Sequence, residues 1–161
     1  MGKPQKIVDN LNKMTIFTGE YRYSLDEKKR LAIPSKMRQG LGAKGVITRG
    51  LDKCLYLFTT KEWEVMVGQI SKLPLAGADS RSFARFFLTG AMEVNLDNLG
   101  RILIPDFLKK YANLTRKVVV AGVNNHIEIW DETKWQEYRD KTENASEEIA
   151  ERLYGNKELN I

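Results

Sequence analysis

Apolar and polar residues alternate along two short stretches of this chain. The apolar positions are Tyr21, Tyr23 and Leu25 in the first stretch, and Met92, Val94 and Leu96 in the second. Alternation with a period of two residues is typical of a β-strand that buries one face. Each stretch therefore predicts a half-buried strand. Equivalent apolar positions of the two stretches lie 71 residues apart (92 − 21), as expected for two copies of one pattern.

The same motif follows each predicted strand. It consists of an Asp, three intervening residues, an Arg, an apolar triplet and a Pro, at residues 26–34 and again at residues 97–105. The two copies lie 71 positions apart (97 − 26). A repeated motif of this length indicates that the chain contains two copies of one structural unit.

The residues after the motif also repeat. Met37 and Leu41 correspond to Leu108 and Ala112, and their i, i+4 spacing predicts a short helix with one buried face. The matching apolar segments that follow are 46–50 and 54–58 in the first copy and 118–122 and 126–130 in the second, with Trp63 and Trp135 after them. The offset there is 72 (135 − 63), so we expect one residue to be gained before the third strand. Each unit is predicted to fold as β-β-α-β-β-α.

A unit of roughly 70 residues encloses little core of its own, so we expect the two units to share one core by pairing their sheets. Phe83, Phe86 and Phe87 have helical spacing and predict a linking helix whose rings belong to the core. The last helix, from Glu132, is expected to fray beyond about Ala150. The predicted segments of this mixed, β-rich α+β chain are a loose N-terminal extension (1–18), repeat 1 (19–62), linking helices (63–90), repeat 2 (91–134) and a C-terminal helix and tail (135–161).

The amino-acid composition limits the classes of protein to which this chain can belong. Lys and Arg number 26 against 21 Asp and Glu, and the resulting net charge of +5 only weakly favours a nucleic-acid partner. One cysteine excludes an intramolecular disulfide and fits a reducing compartment. No apolar run approaches the roughly 20 residues of a membrane span. Because no export signal is visible either, we predict a cytoplasmic protein that does not bind membranes.

Few residues could carry catalysis. His126 is the only histidine, and it occupies the repeat position of Cys54, so we interpret it as an ordinary strand residue. No Gly-rich phosphate-binding loop follows a predicted strand. The sequence therefore predicts a protein that is not an enzyme, uses no cofactor or metal and has no small-molecule substrate.

The Asp-x-x-x-Arg turn is the polar constellation that occurs twice, as Asp26/Arg30 and Asp97/Arg101. In a structural interpretation, the carboxylate accepts hydrogen bonds from the N–H groups of its turn and from the guanidinium. In a functional interpretation, the Asp orients the Arg towards a phosphate or towards guanine O6 and N7. The two interpretations are compatible, and the sequence does not choose between them. Lys28 and Lys29 favour an anion-facing role for the first copy.

Together these residues resemble the MraZ family, bacterial regulators with two SpoVT-AbrB-like repeats. The resemblance covers about residues 17–138. Besides the two motifs it rests on Gly19-Glu20-Tyr21, Thr48-Arg49-Gly50-Leu51-Asp52-Lys53-Cys54-Leu55, Glu62-Trp63, Phe86-Phe87-Leu88-x-Gly90-Ala91 and Ile129-Trp130-Asp131. It implies two swapped-hairpin halves that complete each other as a pseudo-symmetric double-split β-barrel with flanking helices, and a ring-shaped homo-oligomer.

The resemblance also implies a function. It implies sequence-specific binding to double-stranded DNA, at short direct repeats upstream of the protein's own division and cell-wall gene cluster, by a nucleoid-associated repressor of transcription. The family's DNA contact carries over to the pairs Asp26/Arg30 and Asp97/Arg101. One departure is that Lys29 stands where the second copy has Gly100. If this position needs a positive φ, Lys29 is strained or its turn differs.

A protein-interaction module is the alternative function. AbrB-like barrels also serve as antitoxins that hold a partner with a C-terminal segment, and the acidic tail after Asp131 would suit that role. A methyltransferase encoded by a neighbouring gene is another possible partner. Exposure of Arg30 and Arg101 on one surface would favour DNA binding over this alternative.

Overall fold

The structure, a computed structural model, describes residues 15–160; residues 1–14, which make up most of the predicted N-terminal extension, lie outside the described residues. Its strands are β1 Glu20–Ser24, β2 Arg30–Ala32, β3 Lys44–Arg49, β4 Leu55–Thr59, β5 Met92–Asn95, β6 Arg101–Leu103, β7 Lys117–Val123 and β8 His126–Asp131. Its helices are α1 Ser35–Leu41, α2 Thr60–Ser71, α3 Ala78–Thr89, α4 Asp106–Tyr111, α5 Glu132–Asn144 and α6 Ser146–Gly155. A single 3₁₀ turn, Leu51–Lys53, joins β3 to β4.

The predicted β-β-α-β-β-α order is confirmed in both repeats, and α3 lies between them. Local sequence explains where the helices begin. Pro34 and Pro105 directly precede α1 and α4, and α2 begins after Thr59, whose hydroxyl accepts a hydrogen bond from the Glu62 N–H at 3.1 Å. The helix α1 ends at Leu41 and is capped by Gly42, which has a φ of 83°.

The strands form two separate antiparallel sheets. The larger has six strands in the order β1-β7-β8-β4-β3-β5, and the smaller is the two-stranded ribbon β2-β6. The resemblance implied a barrel, but β1 and β5 are open edges, so the strands among residues 15–160 do not close into one hydrogen-bonded sheet. The fold is thus mixed α+β and rich in antiparallel strands, as predicted.

Exchange of strands joins the two repeats. The strand β1 of repeat 1 pairs with β7 of repeat 2, and β5 of repeat 2 pairs with β3 of repeat 1. In the ribbon Leu31 lies opposite Ile102, and at the centre of the large sheet Tyr56 lies opposite Glu128. Because each of these pairs joins matching positions of the repeat, an approximate two-fold axis passes through both.

One core cluster contains side chains from both repeats and both sheets, as expected for units too small to fold alone. The ribbon contributes Leu31 and Ile102, both fully buried. The predicted i, i+4 pairs of α1 and α4 are buried in the same cluster: Met37, Leu41, Leu108 and Ala112.

A second cluster lies beneath the linking helices. Phe87 is 2% exposed and stacks on Trp63 with 5.5 Å between ring centroids, while Phe83 and Phe86 are partly buried around it. The hydroxyl of Thr48 in β3 donates to the Phe87 carbonyl at 2.6 Å. The prediction that the aromatic stripe belongs to the core is confirmed.

The C-terminal segment differs from the prediction. Instead of one helix that frays beyond Ala150, α5 ends at Asn144 and a separate helix, α6, continues to Gly155. The helix α5 packs on the large sheet, where the rings of Trp130 and Trp135 lie 5.5 Å apart. No helix within residues 15–160 is long and apolar enough to cross a membrane.

Candidate nucleic-acid interface

The two Asp-x-x-x-Arg turns lie side by side. Each turn leads into one strand of the ribbon, so the β2-β6 pairing brings together residues about 71 positions apart in sequence. The Ile33 N–H donates to the Gly100 carbonyl, and the Ile104 N–H donates to the Lys29 carbonyl, each at 2.9 Å. These two bonds extend the ribbon beyond its strands and fix the turns relative to one another.

Asp26 organises the first turn. One carboxylate oxygen accepts the backbone N–H groups of Lys28 at 2.9 Å and Arg30 at 2.8 Å, and the other accepts the Arg30 Nε–H at 2.7 Å. The backbone N–H of Arg30, supported by its guanidinium, lowers the pKa of Asp26 below its ordinary value, although partial desolvation opposes this. The carboxylate therefore stays ionised and holds the guanidinium in one orientation.

Asp97 repeats this arrangement in the second turn. It accepts the backbone N–H groups of Leu99 and Arg101 at 2.9 Å each and the Arg101 Nε–H at 2.8 Å. The N–H of Arg101 likewise lowers the pKa of Asp97. In addition, Nη1 of Arg101 lies 3.8 Å from Oδ2 of Asp26, so the two motifs form one connected charge network. The structural interpretation of the motif is confirmed in both copies.

Lys29 adopts the same turn conformation as Gly100. The φ angle is 61° at Lys29 and 73° at Gly100, both in the left-handed region that disfavours side chains with a Cβ atom. Of the two outcomes expected from the sequence, the strained lysine is therefore the one observed. The Lys29 Nζ forms an ion pair with the Asp106 carboxylate, so this side chain extends to the start of α4.

The outer face of the ribbon carries both arginines. Side chains alternate along a strand, and Leu31 and Ile102 point into the core. Arg30 and Arg101 consequently project from the opposite face, with side chains 33% and 25% exposed. Both predicted arginines lie on one accessible surface, and Lys28 is exposed at the tip of the first turn.

Sequence reasoning missed two cations beside the first turn. Lys109 and Arg116 line an open groove there, together with Asp26, Glu27 and Lys29. Arg38, one of the basic residues that the sequence places in the helix after the first motif, donates from Nε to the Ile33 carbonyl at 2.8 Å and covers Gly100 of the second turn. No local sequence signal marks Lys109 or Arg116 as part of the site, because the tertiary fold alone brings them to the first turn.

The ring of His126 interacts with neighbouring side chains of the fold. Its Nδ1 faces the side-chain oxygen of Asn125 at 2.9 Å, its Nε2 faces Glu128 at 3.1 Å, and its ring lies 4.5 Å from the ring of Tyr56. Within residues 15–160 no group of His, Cys, Asp and Glu side chains could hold a metal ion. The Asp-Arg network on the ribbon is thus the more informative polar site.

Comparison with known proteins agrees with the two-repeat architecture. A family model described as "MraZ protein, putative antitoxin-like" matches twice, at residues 16–86 and 87–157. The chain is also similar to a protein named transcriptional regulator MraZ from Natranaerobius thermophilus. The two are 47% identical over 138 residues, which cover 86% of this chain and 96% of that relative. These matches, together with the duplicated motif and the exchanged strands, show that this chain belongs to the MraZ family.

Proposed function

We propose that this protein is a transcriptional regulator that binds specific DNA sequences through the outer face of the β2-β6 ribbon. The observation that carries the proposal is the pair of arginines on that face, each oriented by its own aspartate. A two-stranded ribbon is narrow enough to enter the major groove of B-DNA, where base edges differ between all four base pairs. The similarity to a relative named as a transcriptional regulator supports the same function.

The Asp-Arg pairs suit base recognition. The carboxylate engages Nε of Arg30, which leaves the two Nη groups as the outward end of the guanidinium. Two parallel N–H donors can reach guanine O6 and N7, the commonest specific contact of arginine with DNA. Because the side chain is already held in place, less conformational entropy is lost on binding. Arg101 is held in the same way by Asp97.

Positive charge around the first turn supplies the nonspecific part of the binding. Lys28 is exposed at the turn tip, and Lys29 lies beside it with its ammonium shared with Asp106. Cations that replace the counterions of DNA phosphates make affinity fall steeply with salt. We therefore assign DNA contact to Asp26, Lys28, Lys29, Arg30, Asp97 and Arg101, with the two aspartates acting by positioning the arginines.

We further propose that several copies assemble into a ring and repress transcription from short direct repeats upstream of the protein's own gene cluster, as a cytoplasmic, nucleoid-associated protein. Several weak ribbon contacts on spaced repeats would gain affinity by acting together. The open edge strand β5, with Met92 46% exposed, supports contact with another copy. We also propose that the two exchanged halves of the chain complete each other as the split barrel that the family resemblance implies.

A protein-interaction role remains the second candidate, because the matched family is described as antitoxin-like. The helices α5 and α6 would form the binding arm, since acidic residues outnumber basic ones along them and Tyr154 is 61% exposed. An arm of this kind could hold a basic protein, including an enzyme from a neighbouring gene. This role does not require the ribbon arginines.

Substitution Arg30→Ala tests the DNA-binding proposal. We expect specific binding to the protein's own upstream DNA to be lost while the oligomer stays intact, measured by mobility shift and by light scattering. Arg152→Ala, which removes an equal charge from an exposed site on α6, serves as the control and should bind normally. Loss of the oligomer in Arg30→Ala would show that Arg30 has a structural role instead, and unchanged specific binding would show that Arg30 does not contact the DNA.

A further inference from the structure

An open groove of about 480 Å³ lies against the first turn and has no described function. Its charged lining comes from three parts of the chain: Asp26, Glu27 and Lys29 in the turn, Lys109 in α4 and Arg116 before β7. We call it the first-turn groove. It shares Asp26 with the site on the ribbon, because this residue both holds Arg30 and lines the groove.

The groove offers two uncommitted cations. Neither Lys109 nor Arg116 forms a side-chain ion pair or side-chain hydrogen bond with any residue in the described part of the chain, whereas Lys29 is paired with Asp106. Asp26 is engaged by Arg30, so Glu27 is the carboxylate left to oppose an incoming anion. A guanidinium and an ammonium that line one open groove are complementary in charge and hydrogen-bond donors to a phosphate group.

The other half of the molecule has an equivalent backbone but only part of this charge pattern. The Leu25 N–H donates to the Arg116 carbonyl at 2.8 Å, and the Leu96 N–H donates to the Ala43 carbonyl at 2.9 Å. Ala43 is therefore the counterpart of Arg116, and it carries no charge. At the counterpart of Lys29, Gly100, the space for a side chain is filled by Arg38. Arg38 is also the counterpart of Lys109, since Met37 corresponds to Leu108, so the second half keeps one of the two cations and lacks the other.

Resting on the function proposed above, we infer that the first-turn groove binds one backbone phosphate of the DNA whose bases the ribbon contacts. Arg116 and Lys109 would donate to the phosphate oxygens, and Lys29 would add charge at the rim. Phosphate contacts of this kind set the register of a protein on the duplex. Because the second half has no charged counterpart of Arg116, the ribbon would be anchored more firmly at the side of the first turn, and Arg30 would lie next to the anchored phosphate.

The salt dependence of DNA binding tests this inference. Removing one phosphate contact makes the slope of log K against log salt shallower by about 0.9 and lowers affinity about fivefold near 0.15 M salt. We expect Arg116→Ala combined with Lys109→Ala to show this change, and Arg152→Ala, which removes an exposed cation of α6, to keep the original slope. An unchanged slope and affinity in the double variant would overturn the inference.

Ethylation of individual DNA phosphates locates the contact directly. In the unaltered protein, we expect ethylation of one phosphate at one side of the site to block binding, and this interference to disappear in the double variant. Substitution Glu27→Gln should strengthen binding several-fold, because it removes the opposing carboxylate. The same interference pattern in both proteins would contradict the inference.

A free phosphate ion is the other source of the same chemistry. Chemical-shift changes at Arg116 on titration with inorganic phosphate, together with an unaltered DNA salt slope in the double variant, would assign the groove to a free anion and overturn the inference. Failure of the unaltered protein to select its own upstream DNA would instead refute the proposed function. Selective binding with no effect of the double variant would refute the groove inference alone.

Discussion

Replacement of Gly100 by alanine tests whether the paired turns have the described geometry. Gly100 has a φ of 73°, and a Cβ atom there would lie 2.5 Å from Nη1 of Arg38 and 2.6 Å from its Cδ. A left-handed conformation costs an L-residue about 1–2 kcal/mol. Displacing Arg38 would also weaken its hydrogen bond to the Ile33 carbonyl, at a cost of about 1 kcal/mol.

Alanine also leaves the unfolded chain with less conformational freedom than glycine does, which offsets about 0.5–1 kcal/mol of these costs. The net loss in free energy of unfolding should be about 1–2 kcal/mol for Gly100→Ala. Urea unfolding followed by circular dichroism, at one fixed protein concentration, measures this difference. In a chain of this size, 1 kcal/mol corresponds to a fall of about 2–4 °C in melting temperature.

The matched control is Lys29→Ala at the equivalent turn position. Lys29 already has a φ of 61°, so alanine adds no backbone strain there and removes only the exposed ion pair with Asp106. Such pairs contribute about 0–1 kcal/mol, so Lys29→Ala should lose less stability than Gly100→Ala. Equal stability of Gly100→Ala and the unaltered protein, or a larger loss in Lys29→Ala, would show that the two turns do not have the described geometry.

Two further predictions concern the turn carboxylates and the aromatic cluster. Because folding lowers the pKa of Asp26, its stabilising contribution is present above the pKa of the unfolded chain and is lost as pH falls through the folded value. Asp26→Asn should therefore lower the urea midpoint at pH 7. The midpoint should also fall less steeply below about pH 4 in this variant than in the unaltered protein. A midpoint that falls with pH in parallel in the two proteins would contradict this. Phe87→Ala should cost about 3–5 kcal/mol in thermal or urea unfolding, because Phe87 is 2% exposed. Leu88→Ala, at a position 38% exposed, should stay within about 0.5 kcal/mol, and similar losses in both variants would contradict the assignment of this helix face to the core.

Elements with a strong local pattern were predictable from the sequence. The alternation at Tyr21 and Tyr23 identified β1, and the spacing of Phe83 and Phe87 identified α3 with its buried face. The Asp-x-x-x-Arg spacing also predicted the hydrogen bonds of both turns, because they involve residues at most four positions apart. In these cases the determining interactions are local.

The sequence alignment of the third strands of the two repeats, β3 and β7, was wrong by one residue. The sequence aligned Val46 with Val118, but Val118 pairs with Tyr23 while Gly45 pairs with Val94, the counterpart of Tyr23. Gly45 is thus the counterpart of Val118, at an offset of 73 (118 − 45). Both faces of these strands are buried, so their apolar runs carry no alternation that could fix the register.

The groove cations were missed for a different reason. Arg116 and Lys109 lie about 80–90 positions from the first turn in sequence (116 − 26 and 109 − 27), and only strand exchange brings them beside it. The adjacency of the two turns likewise depends on the β2-β6 pairing, which is not encoded in either motif alone. Interactions between distant segments therefore set the limit of what the sequence could predict about the site.

The proposed function requires the β2-β6 ribbon to bind a specific DNA sequence. Its most direct test is a mobility shift that compares DNA from upstream of the protein's own gene with scrambled DNA of equal length, at two salt concentrations. We expect selective binding to the upstream DNA that weakens as salt increases. Equal binding to both DNAs, or no binding to either, would contradict it and would favour the protein-interaction role.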